Sequence, residues 1–217
     1  IPWPHGKVGV ATSLVSILLS GHAVLRWRYL SQSKRNQIAS IAIVALVLIW
    51  VSPTISLSNW PNPDWVMVSC DVGQGDAAVI RTGRHEGVVI DVGSDPDLVD
   101  RCLKRLEITS IPLLLLTHFH ADHVGGLSGA LRGRSIGQIR ISPLAEPPAT
   151  TEFVMATLAR MHLKASVLTY PEQFRISDVD FKCIWPSKLI LGQGSDPNNA
   201  SVALLVTVSG KHILMSG

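Results

Sequence analysis

Hydrophobic and polar positions divide the chain into two differently patterned parts. Two long apolar runs come first, at residues 8–25 and 38–57, and each has about the length of a membrane-spanning helix. From residue 66 onward the apolar segments are short and are separated by turn residues, as is typical of a strand-rich domain. The pattern therefore predicts two transmembrane helices within residues 1–59, a linker at 60–65 and a domain over 66–217.

The loop between the two apolar runs is basic. It contains Arg26, Arg28, Lys34 and Arg35, and no Asp or Glu occurs anywhere in residues 1–63. A short basic loop favours a cytoplasmic position, so the domain after it would lie on the extracytoplasmic side. A secretory signal is the alternative, but no clear small-residue cleavage site follows the second run. We therefore expect a multi-pass membrane protein with an external domain.

The net charge of +3 belongs to the N-terminal part of the chain. Because that part lacks acidic residues, it accounts for the positive excess, and the domain after it is close to neutral. Net charge therefore gives no indication of nucleic-acid binding by the domain.

Within the domain, apolar periodicity predicts alternating strands and helices. Asp95 followed by Pro96 is typical of a helix start, and the fully apolar run at 112–116 is typical of a central strand. The predicted strands are 66–70, 77–81, 88–91, 112–116, 139–142, 179–185, 202–208 and 212–215, and the predicted helices are 96–106, 124–131 and 151–162.

The cysteines do not form a recognisable metal or disulfide pattern. Cys70, Cys102 and Cys183 are widely spaced, with no CxxC pair. We interpret them as buried small apolar residues. A single disulfide among them is the alternative if the domain lies outside the cytoplasm.

The residues best suited to chemistry follow the predicted central strand. His118, His120, Asp122 and His123 lie within six residues of one another. Alternate residues of an extended chain point the same way, so the first two histidines can bind one metal, while Asp122 and His123 in the following turn can reach a second. Two such ions activate water near neutral pH. The mixed imidazole and carboxylate ligands suit zinc and also manganese.

This HxHxDH run, followed by Gly125-Gly126 and preceded by the segment 89–93, resembles the metallo-β-lactamase superfamily. The resemblance implies an α+β fold, an αββα sandwich with two divalent metal ions at the edge of its sheets. Asp91 then lies beneath the metal loop and orients it; a plain strand-end turn is the alternative. We expect Asp122, Asp76 and Asp91 to be the acidic residues that serve catalysis.

A narrower resemblance rests on residues 71–77 (DVGQGDA) and 198–202 (NNASV). Both segments resemble the ComEC family of competence proteins, in which a multispanning channel for incoming single-stranded DNA is joined to a β-lactamase-like domain. The resemblance implies a bacterial membrane protein that acts as a phosphodiesterase or nuclease on extracellular DNA during uptake. Its partners would be the single strand of the incoming duplex, the membrane and other DNA-uptake proteins.

Polar residues of these segments are the predicted substrate contacts. Gln74, Asn198, Asn199 and Ser201 can hydrogen-bond phosphate oxygens, or they can simply close turns. Basic residues that could contact a DNA backbone, or form an ordinary solvated surface, are Arg81, Arg84, Arg101, Lys104, Arg105, Arg132 and Arg134.

Two other functions are compatible with the sequence. The superfamily is broad, so the substrate could be a small ester or lactone. Alternatively, the chain could be a non-catalytic component of a DNA channel. The family pattern continues beyond the last predicted strand with an aspartate that bridges the metals and with further histidines. We therefore expect a partial, C-terminally truncated sandwich, whose hydrolytic activity in this chain alone is impaired.

Overall fold

The computed structural model describes residues 30–51 and 60–217 of the chain. Contacts divide the chain into two units, Ile1–Ser58 and Asn59–Gly217, and the first contains helix α1 (Gln32–Val51). Within the described residues, no helix combines the length and hydropathy that crossing a bilayer requires. The predicted run 8–25 lies outside the described residues, and the run 38–57 extends past them, so both transmembrane helices stay predictions.

The second unit is built on two β-sheets. The first has six strands in sequence order, and the second has four strands in the order β10-β9-β8-β7. The strands of the first sheet are β1 (Met67–Ser69), β2 (Ala78–Gly83), β3 (Glu86–Ile90), β4 (Ser110–Leu116), β5 (Ser135–Ile141) and β6 (Ala165–Val167); those of the second are β7 (Gln173–Ile176), β8 (Val179–Trp185), β9 (Ala203–Val208) and β10 (Lys211–Ser216).

Strand β4 is the central strand that its apolar sequence predicts. It pairs in parallel with β3 on one side and β5 on the other. Leu113 and Leu115 point into the core between the two sheets, whereas Leu114 and Leu116 point into the core beneath the helices. A strand covered on both faces needs apolar residues at successive positions, which explains the uninterrupted leucine run.

Helices cover the outer face of the six-stranded sheet. Asp95 caps the first of them, because its Oδ1 accepts hydrogen bonds from the backbone N–H groups of Asp97 and Leu98 at 2.7 and 3.3 Å. The helices of the domain are α2 (Pro96–Arg105), α3 (Ala121–Val124), α4 (Leu127–Leu131), α5 (Pro148–Arg160) and α6 (Asp196–Asn199).

The predicted helix 124–131 is two short helices instead. The chain breaks between them at Gly126, where it packs closely on the turn after β3. A Cβ built on Gly126 would lie 2.1 Å from the carbonyl oxygen of Val92. The glycine therefore permits a backbone approach that any other residue would prevent.

The sequence did not predict strands β6 and β7. Each is at an edge of its sheet, and most of their residues are exposed or only half-buried. Edge strands that bury so little surface carry no strong apolar alternation. The predicted α+β fold is nevertheless confirmed: the described residues form a layer of helices, a six-stranded sheet and a four-stranded sheet.

A disulfide joins Cys70, just after β1, to Cys102 in α2. The interpretation of all three cysteines as unpaired apolar residues is therefore wrong for this pair, and the alternative of a single disulfide is confirmed. Only Cys183 among the described cysteines is free, and it is buried between the sheets.

Candidate metal centre

The HxHxDH run lies at the edge of the sheet where β3 and β4 end. These strands are parallel, so the residues that follow them, Asp91 and Thr117, come together. The backbone N–H of Asp91 donates to the carbonyl of Leu115 at 2.8 Å, which holds the two strand ends in register.

Asp91 is the centre of a buried hydrogen-bond network. Its Oδ1 accepts from the backbone N–H of Thr117 at 2.7 Å, and its Oδ2 accepts from the Thr117 hydroxyl at 2.7 Å. Oδ2 also lies 2.9 Å from Nδ1 of His123. Burial raises the pKa of Asp91, and the hydrogen bonds from His123 and Thr117 oppose that rise. The plain strand-end turn is thus the poorer interpretation of Asp91.

The Thr117 hydroxyl connects Asp91 to a second histidine, His118. Its Oγ1 lies 3.1 Å from Nδ1 of His118. Because the hydroxyl proton is directed at Asp91, the hydroxyl oxygen is left to accept a hydrogen bond from His118 Nδ1–H. This arrangement leaves Nε2 of His118 with its lone pair exposed to the site. Sequence reasoning missed this role of Thr117, because a threonine at a strand end has no distinctive signal.

His118 is held in its neutral form. Burial lowers its pKa to about 4, and the nearby charges of His123 and His120 lower it as well, against the opposing effect of Asp122. A metal ligand must present an unprotonated nitrogen, so a depressed pKa favours metal binding at neutral pH.

His118 and His120 are spaced as two ligands of one metal. Nε2 of His118 lies 3.2 Å from Nδ1 of His120. Two nitrogens bound to one tetrahedral zinc ion at ordinary bond lengths lie about 3.3 Å apart. The alternation of side chains along an extended segment brings these two nitrogens together, and their role as metal ligands stays a prediction.

His123 lies beside this pair, but its ring is oriented by Asp91 directly rather than by Thr117. Its ring centroid is 4.0 Å from that of His118. Burial lowers the pKa of His123, but the hydrogen bond and charge of Asp91, with the charges of Asp122 and Asp76, raise it overall. With Nδ1 directed at Asp91, the remaining nitrogen, Nε2, is the one available to a metal.

The segment 71–77 packs directly against the metal loop. Gly75 has a φ of 92°, and a Cβ built on it would lie 1.7 Å from the backbone oxygen of Asp122. Only glycine fits at this position. The backbone N–H of Asp76 donates to the same oxygen at 3.3 Å, and the side chains of Gln74 and Asp76 are exposed beside the loop. The expected close approach of this segment to the site is thus present.

The segment 198–202 reaches the loop through its last residues. The N–H of Val202 donates to the carbonyl of Thr117 at 2.9 Å, and Ser201 is buried. Asn199 closes the local turn instead, with its Nδ2 donating to the Gln193 carbonyl at 2.6 Å. Asn198 is exposed. Structural contacts therefore account for Asn199, and substrate contact by any of these residues stays a prediction.

The nitrogen donors of the loop suit a divalent metal, but they do not complete its coordination shell. In the described part of the chain, no group of three or more His, Cys, Asp or Glu side chains is arranged to hold an ion. The fit rests on the His118 and His120 nitrogens and on the free nitrogen of His123. The roles of His118, His120, Asp122 and His123 as ligands all stay predictions.

Three of the predicted basic residues bond the same buried aspartate, Asp100. Arg134 is buried, and its guanidinium lies 3.0 Å from Asp100 and donates to several backbone carbonyls. Lys104 and Arg132 also bond Asp100, at 2.8 and 3.1 Å. The suggestion that Arg134 contacts DNA is therefore wrong, because it is a structural residue.

Comparison with known proteins places the domain in a family. A family profile described as "Metallo-beta-lactamase superfamily" matches residues 70–217. No curated protein matches the sequence.

Solved structures show similarity at low sequence identity. Zn²⁺-bound PqqB from Methylobacterium extorquens is 14% identical with a TM-score of 0.47, over 65% of this chain and 52% of that one. The metallo-β-lactamase fold protein YhfI from Bacillus subtilis is 13% identical with a TM-score of 0.47, over 69% of this chain and 60% of that one. A metallo-β-lactamase HARLDQ-motif mutant from Cronobacter sakazakii is 14% identical with a TM-score of 0.44, over 67% of this chain and 55% of that one. The match thus spans a little over half the length of these structures.

Proposed function

Since the chain belongs to the metallo-β-lactamase superfamily, we propose that it is a membrane-anchored, metal-dependent phosphodiesterase that cleaves extracellular DNA during DNA uptake. The observation that carries the hydrolase chemistry is the 3.2 Å pairing of His118 Nε2 with His120 Nδ1, above the buried Asp91. The resemblance of residues 71–77 and 198–202 to the competence proteins supports DNA as the substrate.

Four side chains of the loop would hold the metals. His118 and His120 would bind one ion, and Asp122 and His123 a second. The chemistry that zinc or manganese would supply there is activation of water for attack on phosphorus and neutralisation of charge on the phosphate oxygens.

The remaining residues of the site orient these ligands, accept a proton or contact the substrate. Asp91 fixes His123 directly and His118 through Thr117, so that both imidazoles present Nε2. Asp76 is exposed in the segment that packs on the loop, and its carboxylate would accept a proton as the phosphodiester is attacked. Gln74 and Asn198 are exposed donors that would contact phosphate oxygens.

Two observations support an extracytoplasmic position for the domain. The disulfide between Cys70 and Cys102 is of a kind that persists in oxidising compartments and is rare in the cytosol. The apolar runs at 8–25 and 38–57 flank a basic loop, which favours an external domain after the second run.

The test is incubation of the full chain with labelled linear DNA and either zinc or manganese. We expect weak, metal-dependent cleavage that is abolished by chelation and by His120→Ala. His212→Ala is the matched control, since His212 is an exposed histidine on β10 whose side chain, among the described residues, bonds only Thr207. It should cleave like the unmodified chain.

Three results would contradict the proposal. Cleavage that is unaffected by His120→Ala would exclude the loop as the active site. Hydrolysis of small esters or lactones without cleavage of DNA would assign a different substrate to the same fold. DNA uptake that survives loss of both His118 and His120 would indicate a non-catalytic channel component.

A further inference from the structure

A groove opens at the end of the domain opposite the metal loop. It is formed by the turn between β2 and β3, around Arg84, and by residues 106–108 before β4. The candidate metal centre follows the other ends of the same strands. Since β4 has seven residues, about 20 Å of strand separates the two features. The groove is therefore distinct from the hydrolytic site.

Aromatic and cationic side chains line this groove, which has a volume of about 620 Å³. The guanidinium of Arg105 lies 4.2 Å from the ring centroid of Trp60, and that of Arg81 lies 6.0 Å from the ring centroid of Trp65. Both distances are within the range of cation–π contact. The groove thus holds two indole rings, each with an arginine at its face.

The two tryptophans differ in what they do for the fold. Trp65 packs against the core, whereas Trp60 is 43% exposed. A large aromatic side chain left this exposed contributes little to core packing. Trp60 therefore offers indole surface beyond the face that Arg105 covers.

The charges of the groove favour an anion. Arg84 is exposed and makes no hydrogen bond or ion pair with any described residue. Arg81 donates to the carbonyl of Pro63. Glu107 is the acidic residue of the lining, and its carboxylate lies 3.5 Å from Nδ1 of His85. Three arginines against one glutamate leave the groove positive.

We propose that this groove binds a single-stranded DNA segment, with a base stacked on Trp60 and phosphates contacted by Arg84 and Arg105. Sequence-tolerant single-strand sites combine these elements, a positive groove for the backbone and aromatic rings for the bases. The proposal deepens the proposed function and depends on it for the choice of DNA. The groove holds the strand about 20 Å from the metal centre, so a substrate stays attached between cleavage events.

Binding is measured by fluorescence anisotropy, with the full chain, a labelled 20-nucleotide oligothymidine and a chelator to prevent cleavage. We expect Trp60→Ala to weaken binding about 10-fold, because base stacking is lost. Trp60→Phe retains an aromatic ring and should restore most of the affinity. Arg84→Glu should also weaken binding and reduce its salt dependence.

Two controls separate stacking from general charge effects. Arg160→Glu makes the same charge change on α5, outside the groove, and should bind nearly like the unmodified chain. An abasic oligonucleotide of equal length keeps the phosphates but has no bases. With this probe, Trp60→Ala should have no effect while Arg84→Glu still weakens binding.

The result is independent of catalysis, because His120→Ala should bind oligothymidine normally. Absence of metal-dependent cleavage by the unmodified chain, with groove-dependent binding intact, would refute the hydrolase and retain the groove. Oligothymidine binding unchanged by both Trp60→Ala and Arg84→Glu would overturn the groove proposal, whatever the cleavage assay shows. If those variants instead reduce flotation with phosphatidylglycerol vesicles and leave oligonucleotide binding unchanged, the groove contacts a membrane surface and the proposal is wrong.

Discussion

Two buried aspartates of the same domain have opposite electrostatic environments. Asp91 is 1% exposed and Asp100 is 3% exposed. Asp91 is bonded by an imidazole, a hydroxyl and a backbone amide. Asp100 is bonded by cationic groups of Lys104, Arg132 and Arg134. The two residues therefore differ in the charge of the partners that bond them.

The pKa directions follow from these partners. Burial is the largest effect on both carboxyls and raises the pKa of each. At Asp91 the bonds from His123 and Thr117 do not overcome it, so the pKa is raised. At Asp100 the bonds and charges of Lys104 and Arg134 do overcome it, so the pKa is lowered. The cations around Asp100 stabilise its ionised carboxylate in a structural role. The imidazole of His123, which bonds Asp91, can instead release a proton when it binds a metal.

The largest expected effect is on stability, at Asp100. Asp100→Asn removes the charge that neutralises Arg134, whose side chain is only 3% exposed. Leaving a buried cation uncompensated costs about 3–5 kcal/mol. We expect a loss of that size in the free energy of unfolding, measured by denaturant titration at pH 7. A loss below about 1 kcal/mol would mean that water reaches the pair.

At Asp91 the expected effect is on metal binding. Asp91→Asn removes the acceptor that orients His123 and, through Thr117, His118. Replacing such a partner typically lowers metal affinity 10- to 100-fold. Asparagine tolerates the positive φ of 55° at this position, so the backbone should not be strained. Zinc affinity by calorimetry is the measurement, and Asp180→Asn is the matched control, because Asp180 lies on β8 in an exposed pair with Arg175 and its loss should not change zinc affinity.

A smaller effect is expected at Thr117. Thr117→Val keeps the shape of the side chain but loses the hydroxyl that bonds Asp91 and His118. We expect zinc affinity to fall about 10-fold. Thr117→Ser retains the hydroxyl and should bind nearly as the unmodified chain does. Equal affinities for the serine and valine variants would show that the hydroxyl does not orient His118.

The smallest effect concerns pH and stability at Asp100. Its pKa in the folded chain is lowered from the ordinary value of 3.8. The stabilisation is therefore fully present above that ordinary value and is lost as pH falls through the folded-state pKa. The difference in free energy of unfolding between the unmodified chain and Asp100→Asn should stay constant at neutral pH. It should decrease at pH values below 3.8, the ordinary pKa of the carboxyl group. A difference that grows in acid would contradict the lowered pKa.

Much of the fold and site could be predicted from local sequence. The leucines before Thr117 predicted a strand buried on both faces, and His118 and His120 predicted a metal pair, because both depend on residues close in the chain. Local sequence could not pair Cys70 with Cys102 or place Arg134 against Asp100, since these contacts join distant segments. The Trp60 groove also depends on the fold, which brings a linker residue next to Arg105 of α2.

The proposed hydrolase requires the loop after β4 to bind a metal through His118 and His120. Calorimetry can measure this directly, by titrating zinc into the full chain and into the His118→Ala, His120→Ala double variant. We expect the unmodified chain to bind zinc and the double variant not to bind it. Equal stoichiometry and affinity in the two proteins would contradict it.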